Sequence, residues 1–237
     1  MTDAPLILAI ETSSRLGSIA LGHGPRPQVE RIFSGPLRHS SEILPTLETL
    51  LAEMGQAPPA IKQVYLSIGP GSFTGLRIAV SMAKAMHLAN SCQIVPISSL
   101  DTIAANVNTA IISTCYRIIP LLDAKRGQFF AACYHHYPQQ DLRVEKVTED
   151  TLLTADEIQT LCQQEDVPHY LLGDGLLYHQ ETFTHPSVHV MDPDVWSPRA
   201  GKVYELGYKK AQAGLFADPP QLKPAYLREA LVTHKKK

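Results

Sequence analysis

Gly69-Pro-Gly-Ser-Phe-Thr-Gly-Leu-Arg77 follows an apolar run at residues 64–68 and opens a stretch with helical character. A dinucleotide fingerprint has Gly-x-Gly-x-x-Gly between strand and helix, with an acidic residue about 20 positions later. Here the third glycine, Gly75, comes one position late, and the first acidic residue after the loop is Asp101. Pro70 also lacks the N–H that a phosphate cradle would use. The pattern therefore favours a tight strand-to-helix turn, whose glycines permit close packing, over a nucleotide loop.

Two stretches near this turn have the periodicity of amphipathic helices. Residues 43–54 place apolar side chains at helical spacing, and residues 73–88 are apolar or small outside a narrow polar stripe. A helix that packs on a sheet needs only one apolar face. The second helix therefore has more apolar surface than packing on a sheet would bury. Two interpretations stay open: burial within the chain's own layers, or an interface with another subunit. The residues predicted for that interface are Ile43, Leu44, Leu47, Leu50, Leu51, Leu76, Ala79, Val80, Ala83 and Met86.

The chain contains the same hairpin pattern twice. An apolar run at residues 6–10 ends at Glu11 and is followed by a polar turn and a return strand. A second run at 118–122 ends at Asp123 and continues in the same way. This repetition predicts two lobes built on one plan, with an acid at the tip of each hairpin. Actin-like kinases and ATPases bind a metal-bound phosphate between such a pair of acids. The simpler interpretation is that the acids of this chain cap structural turns.

Helical and strand patterns alternate along the rest of the chain. Strands are predicted at residues 94–97, 142–147 and 170–172, and helices at residues 98–106, 155–164 and 197–213. This alternation indicates an α/β or α+β protein with mixed sheets. We expect an N-terminal lobe at 1–106 and a C-terminal lobe at 107–237, with a final helix that can cross back to the first lobe.

Composition limits the classes of function. The chain has 237 residues, 44% of them hydrophobic, and a formal net charge of −2 without a basic stripe. The chain alone is therefore a poor candidate for strong nucleic-acid binding. Its four cysteines form no Cys-x-x-Cys pair, which is typical of a reduced, cytoplasmic protein. We expect no signal peptide, because residues 2–5 are not a basic n-region and the apolar run at 6–10 ends at Glu11. We expect no membrane span, because no apolar run approaches about 20 residues.

Several motifs together resemble one family. They are Ile-Glu-Thr-Ser-Ser at 10–14, His-Ser-Ser-Glu-Ile-Leu-Pro at 39–45, the glycine loop at 69–77, Pro-Ile-Ser-Ser-Leu at 96–100, Leu-Asp-Ala-Lys-Arg at 122–126 and Pro-Ala-Tyr-Leu-Arg at 224–228. This set resembles the bacterial TsaB family, also called YeaZ, of tRNA threonylcarbamoyladenosine biosynthesis proteins, which is related to TsaD. The resemblance implies a two-lobed actin-like (ASKHA, ribonuclease H-like) fold with mixed sheets flanked by helices.

The resemblance also implies a subunit without catalytic residues, metal or cofactor. The catalytic relatives carry a metal-binding His-x-x-x-His after the strand that follows the glycine loop, and Ser99 and Ile103 occupy the matching positions here. Isoleucine cannot bind a metal. The counterparts of the relatives' other ligand segments, residues 123–127 and 197–199, lack the ligand chemistry as well.

Resemblance further implies the partners. The chain would bind and organise the catalytic subunit TsaD through the two N-lobe helices, with the TsaE ATPase docked on the pair. Apart from the resemblance, a symmetric homodimer through the same helices is a third interpretation, since exposed apolar surface would favour self-pairing when the partner is absent. The near-neutral charge makes direct contact with tRNA doubtful. In this interpretation the acids and glycines of the two lobes form a vestigial nucleotide site: Glu11, Thr12, Ser13, Asp123, Gly173, Asp174 and Gly175.

Other interpretations stay open. The same residues would bind Mg-ATP between the lobes if the chain were an actin-like ATPase or small-molecule kinase. The adjacent His135 and His136 would point to opposite faces of a strand and are expected at an exposed strand end. We expect His179, His185 and His189 on the surface.

Overall fold

The first sheet has five strands and carries the N-terminal half of the described chain. The computed structural model describes residues 4–108, 114–137 and 143–227. The strands are β1 (Leu6–Glu11), β2 (Ser18–His23), β3 (Val29–Ile32), β4 (Ile61–Gly69) and β5 (Gln93–Ser98). Their order is β3-β2-β1-β4-β5, with β1, β2 and β3 antiparallel and β1, β4 and β5 parallel. The central strand β1 is buried along its whole length, as its continuous apolar sequence predicts.

The second sheet repeats this plan. Its strands are β6 (Tyr116–Asp123), β7 (Gln128–Ala131), β8 (Tyr134–Tyr137), β9 (Arg143–Lys146), β10 (Thr151–Thr154), β11 (His169–Leu172) and β12 (Val188–Val190). The order β10-β7-β6-β11-β12 again has three antiparallel strands followed by parallel ones, while β8 pairs with β6 and β9. The predicted hairpins correspond to β1–β2 and β6–β7. The duplicated topology thus confirms the expected mixed α/β class.

Within the described ranges, five α-helices flank the sheets. They are α1 (His39–Glu53), α2 (Phe73–Asn90), α3 (Ser99–Ala104), α4 (Ala155–Gln163) and α5 (Ala200–Gln212). Local sequence explains several of the starting points, because Ser72, Ser98 and Thr154 accept hydrogen bonds from the first-turn amides of α2, α3 and α4. Among the described residues, no helix is long and apolar enough to cross a membrane.

The apolar faces of α1 and α2 are covered by the chain itself. Both helices pack on the first sheet, α1 against β2 and α2 against β4. The side chains that this packing buries to 6% exposure or less are Ile43, Leu47, Leu50, Leu51, Leu76, Ala79, Val80 and Ala83. These eight members of the predicted interface are core residues, so they cannot contact a partner at the same time. Leu44, at 57% exposure, and the partly buried Met86 are the other two members.

The helix α5 covers the opposite face of the first sheet, although it follows the second lobe in sequence. Val203 and Tyr204 pack with Ile7 and Tyr65 in one core cluster. Gly207 lies so close to the Tyr65 ring that an added Cβ would come within 2.4 Å of it. The final helix therefore contacts the first lobe. The boundary between residues 106 and 107 stays a prediction.

The chain beyond α5 runs back along α2. The backbone amide of Ala217 donates to Ile94 O at 2.8 Å, and that of Ala225 donates to Ile68 O at 2.7 Å. Between these two bonds, Leu222 is buried in the core beneath α1 and α2. Lys84 of the polar stripe donates to the Pro220 carbonyl at 3.2 Å. This segment therefore covers one flank of α2.

Candidate functional site

A cleft of about 880 Å³ lies between the hairpin turns of the two lobes. Its walls come from the turn after β1, the glycine loop, the turn after β6 and the 3-10 segment Asp174–Tyr178. Three residues of the predicted nucleotide site, Ser13, Asp123 and Asp174, line this cleft together. The fold thus brings the tips of the two repeated hairpins to one place.

Glu11 does not line the cleft. Its side chain is fully buried, and Ser13 donates to Oε1 from both its backbone N–H and its hydroxyl, each at 2.5 Å. The Ser67 hydroxyl donates to Oε2. Burial raises the pKa of Glu11, although the hydrogen bonds from Ser13 and Ser67 oppose that shift. Because both oxygens already have partners inside the protein, this carboxyl group is not available to a metal-bound phosphate.

The two cleft carboxylates differ in their surroundings. Asp123 accepts from the Lys125 backbone N–H at 2.7 Å and from Lys125 Nζ at 2.5 Å. Burial alone would raise the pKa of Asp123, but the Lys125 hydrogen bonds and charge lower it overall. Burial raises the pKa of Asp174, and the charge of Asp123 adds to that effect. Asp123 is therefore already paired with the Lys125 ammonium group.

The glycine loop packs tightly on the turn after β1. Ser72 N–H donates to Ser13 O at 2.7 Å, and the Thr12 hydroxyl donates to Gly75 O at 2.8 Å. A Cβ added at Gly71 would come 2.2 Å from Ser13 O, and one at Gly75 would come 1.9 Å from Thr12 O. The loop is therefore the tight packing turn that the sequence favoured, since two of its glycines lie directly against the backbone of the turn after β1.

Close backbone packing also explains the glycines of the second lobe. Gly173 has a φ of +121°, and an added Cβ would lie 2.1 Å from Leu121 O. Gly175 approaches the same carbonyl, with an added Cβ at 3.0 Å. Both glycines are buried, so they support the floor of the cleft and do not line it.

Aromatic and basic side chains around the cleft were missed by the sequence interpretation. Phe73 stacks on Tyr226 with ring centroids 5.1 Å apart, and the Arg77 guanidinium lies 3.8 Å from the Phe73 ring centroid. Arg77 Nε also donates to the Tyr226 hydroxyl at 3.1 Å. Arg15, Arg126 and Tyr178 line the cleft as well. The late motif at 224–228 was a signal for Tyr226, but only the fold shows where it packs.

The positions that matched the relatives' metal ligands lie in the interior. Ser99 and Ile103 on α3 are fully buried, and Ile103 belongs to the core of the second lobe. Asp101, on the same helix, pairs with Lys146 at 2.8 Å and accepts from the Tyr134 hydroxyl at 2.6 Å. Within the ranges that the structure describes, no three His, Cys, Asp or Glu residues are grouped to hold a metal.

The histidine predictions need one correction. His136 is fully buried and stacks on the Tyr116 ring at 4.3 Å, so the expected exposed strand end is wrong for this residue. His135 is partly exposed and stacks on Tyr137 at 3.9 Å. The strand does place the two rings on opposite faces of the sheet, and the face that carries His136 is buried. Of the three remaining histidines, His189 is exposed, while the other two, at 179 and 185, are partly buried.

Stability should depend on pH through His39, at the start of α1. Its buried ring hydrogen-bonds through Nε2 to Ser14 O at 3.0 Å, and burial lowers its pKa although this bond opposes the shift. The unfolded chain therefore binds a proton at higher pH than the folded chain. We expect the free energy of unfolding to fall as pH drops below about 6.5. Urea titrations across that range would check this, and His39→Gln should show a smaller slope. Equal slopes for both chains would contradict the assignment to His39.

Two sheets share one five-strand order, which β8 and β9 extend in the second sheet, and their equivalent hairpin turns line one cleft. This arrangement defines an actin-like, ribonuclease H-like α/β protein. Residues 36–195 match the family model described as TsaD, tRNA N6-adenosine threonylcarbamoyltransferase. The chain is also 31% identical to the tRNA threonylcarbamoyladenosine biosynthesis protein TsaB of Bacillus subtilis, with 94% of both chains covered. The chain belongs to the TsaB family.

More distant relatives agree with this assignment. TsaB of Escherichia coli is 24% identical, again with 94% of each chain covered. The solved structure of YeaZ from Pseudomonas aeruginosa has a TM-score of 0.77 at 23% identity, covering 94% of this chain and all of that one. This last likeness supports the fold.

Proposed function

We propose that this chain is a non-catalytic subunit required for threonylcarbamoyl transfer to the tRNA adenosine adjacent to the anticodon. It acts by binding and organising the catalytic subunit TsaD together with the TsaE ATPase. The names of its relatives place them in tRNA threonylcarbamoyladenosine biosynthesis. A non-catalytic subunit can act by holding its partner in the conformation that is active. This lowers the free-energy cost of forming the partner's active site.

One observation carries the non-catalytic part of the proposal: the acids at the hairpin tips are engaged within the chain. Glu11 is buried with three hydrogen bonds, and Asp123 is paired with Lys125. A kinase or ATPase of this fold needs such acids free for the metal that accompanies the nucleotide phosphates. Of the two hairpin-tip acids, one therefore lies outside the cleft and the other is ion-paired within it.

The partner surface proposed here is the outer side of α1 and α2. Leu44 on α1 is 57% exposed and Leu88 on α2 is 85% exposed, and the two helices contact each other. Both helices begin beside the turn after β1, so Leu44 lies near that end of the surface and Leu88 near the other, and a partner that covers both would remove them from water. TsaD would cover them, and a second copy of this chain would do so in its absence.

A charge on this outer surface should prevent association with TsaD. We expect the double variant Leu44→Glu with Leu88→Glu to weaken binding at least about tenfold. Sedimentation of the mixed subunits measures binding, and reconstituted transfer measures function. Leu215→Glu is the matched control, since Leu215 is 58% exposed but lies beyond α5. Charged substitutions at Leu47 or Val80 would not test the interface, because both side chains are in the core and their replacement would disturb the fold. If the double variant retains both association and transfer, the interface lies elsewhere.

A direct test of the role is to reconstitute threonylcarbamoyl transfer with and without this chain. We expect transfer to require the chain. Undiminished transfer in its absence would remove the basis for a supporting role, whatever surface it uses.

The second candidate is an actin-like ATPase or small-molecule kinase. The size of the cleft and the presence of Asp123 and Asp174 on its walls favour this alternative. Calorimetry of the isolated chain with Mg-ATP separates the two proposals. Tight stoichiometric binding with turnover would support the enzyme, whereas no binding would support the silent subunit.

A further inference from the structure

The mouth of the cleft collects much of the apolar surface that the described chain leaves in water. Within the described ranges eleven large apolar side chains are exposed, and five of them line the cleft. Their exposure runs from 41% to 76%, and the five are Leu37, Phe73, Leu177, Tyr178 and Tyr226. We refer to these five side chains as the cleft mouth. Exposed apolar side chains that gather in a concave surface are typical of a binding site, whereas scattered ones are not.

Both lobes contribute to the cleft mouth. Leu177 and Tyr178 belong to the 3-10 segment after β11, whereas Leu37 lies just before α1 and Phe73 is the first residue of α2. Leu37 has a φ of +61°, which a leucine rarely adopts. Its N–H donates to Arg15 O at 2.9 Å, so the turn after β1 holds this leucine in place. Backbone strain of this kind clusters at binding and active sites.

The unpaired charge in the cleft is positive. Arg15 and Arg126 come from the hairpin turns of the two lobes, and neither guanidinium has a hydrogen bond or an ion pair with a described residue. The wall also holds two carboxylates, of which Asp123 is paired with Lys125. Asp174 accepts a hydrogen bond from the Asp123 backbone N–H, and burial raises its pKa. A single acidic group that entered the cleft would therefore find two arginines without partners.

The cleft mouth borders the surface proposed above for the partner. Both α1 and α2 begin beside the turn after β1, and Arg15 of this turn lines the cleft. A subunit that covers the outer side of the two helices therefore lies against the mouth at their first turns. The cleft, at about 880 Å³, is large enough to take a short segment of that subunit.

We propose that the subunit covering α1 and α2 inserts into the cleft a segment that carries one acidic side chain between apolar ones. This inference rests on the proposed function and adds a second contact with the same partner. The acid would accept hydrogen bonds from Arg15 and Arg126, while its apolar neighbours would pack on Leu37 and Tyr178. The carboxylates in the wall would repel the repeated phosphates of RNA, and the leucines offer no ring for a base to stack on. A protein segment with a single acid fits these surroundings better.

Charge reversal in the cleft tests this proposal with the full chain and TsaD. We expect Arg15→Glu with Arg126→Glu to weaken the association at least about tenfold, because both groups that attract the acid become repulsive. The matched control is Arg26→Glu with Lys209→Glu, which changes the net charge equally at exposed positions outside the cleft and should leave the association unchanged. Sedimentation at two salt concentrations measures the association, and the difference between the two variants should shrink as salt rises.

A photo-cross-linker identifies the inserted segment. Benzoylphenylalanine in place of Tyr178 should cross-link to a TsaD segment that has an aspartate or glutamate between apolar residues, which mass spectrometry would locate. Arginine in place of that acid should restore the association of the chain with Arg15→Glu and Arg126→Glu. Absence of a cross-link to TsaD, or of rescue by the reversed charge, would overturn the proposal.

The outcomes separate this inference from the proposed function. If the parent chain associates with TsaD and supports transfer, and the cleft variant does both equally well, the insertion is wrong and the proposed function stands. A cleft variant that keeps the association but loses transfer would also contradict the insertion, and would assign the cleft to RNA or a small anion. A parent chain that does not associate with TsaD would remove both.

Discussion

Replacing Gly75 by alanine is expected to destabilise the protein by about 3 kcal/mol or more. In most helices this change would stabilise by about 1 kcal/mol, because alanine is the better helix former. In α2 the new Cβ would stand 1.9 Å from Thr12 O, closer than any real contact. Since the helix backbone sets the position of the Cβ and the atom it meets is a backbone oxygen, relief requires moving α2 or the turn after β1. Urea unfolding followed by circular dichroism measures the loss.

Gly35→Ala is the matched control for Gly75→Ala. Gly35 has its nearest neighbours, atoms of the Arg38 side chain, at 3.8 Å from the position of an added Cβ. We expect its stability to stay within about 0.5 kcal/mol of the parent. A Gly75→Ala chain as stable as the parent would show that the glycine loop does not pack on the turn as described.

Replacing Glu11 by alanine is expected to have the second large effect. The change leaves three buried donors without an acceptor, namely the N–H and hydroxyl of Ser13 and the hydroxyl of Ser67, and opens a cavity beside them. We expect a loss of about 3 kcal/mol or more. Glutamine keeps an acceptor for Ser13, and its amide can donate to Ser67, so Glu11→Gln should cost about 1 kcal/mol.

The same pair of variants gives a pH test. Because the pKa of Glu11 is raised on folding, its protonated form is favoured in the folded state. Its contribution to stability is therefore full below the pKa of the unfolded chain, and it is lost as pH rises through the folded pKa. Denaturant unfolding of the parent should show this slope, and Glu11→Gln should not. Equal losses for the alanine and glutamine variants would contradict this account, because glutamine keeps both the volume and an acceptor that alanine removes.

The two hairpins could be predicted because their signals are local. A buried apolar run, an acid and a short polar turn lie next to each other in the chain, at both Glu11 and Asp123. The strands β3, β10 and β12 were not predicted, since edge strands are short and only partly buried. Their position in the sheet is set by partners, not by their own sequence.

The predicted interface shows what a helical pattern leaves undetermined. The spacing of Leu47 and Val80 shows that each helix has an apolar face, but it does not show what covers that face. The first sheet covers both faces, and the large apolar side chains of these helices that stay exposed are Leu44, Phe73 and Leu88. His136 is a similar case, because the burial of a strand residue depends on the layers packed against the sheet.

The sequence by itself determined the family, the repeated strand–acid–turn plan and the packing role of the glycine loop, because each depends on neighbouring residues or on a local motif. Tertiary structure alone decided whether the acids are free. Glu11 meets Ser67 only because two strands far apart in the chain are adjacent in the first sheet. Partners of that kind depend on long-range register, and no local pattern encodes it.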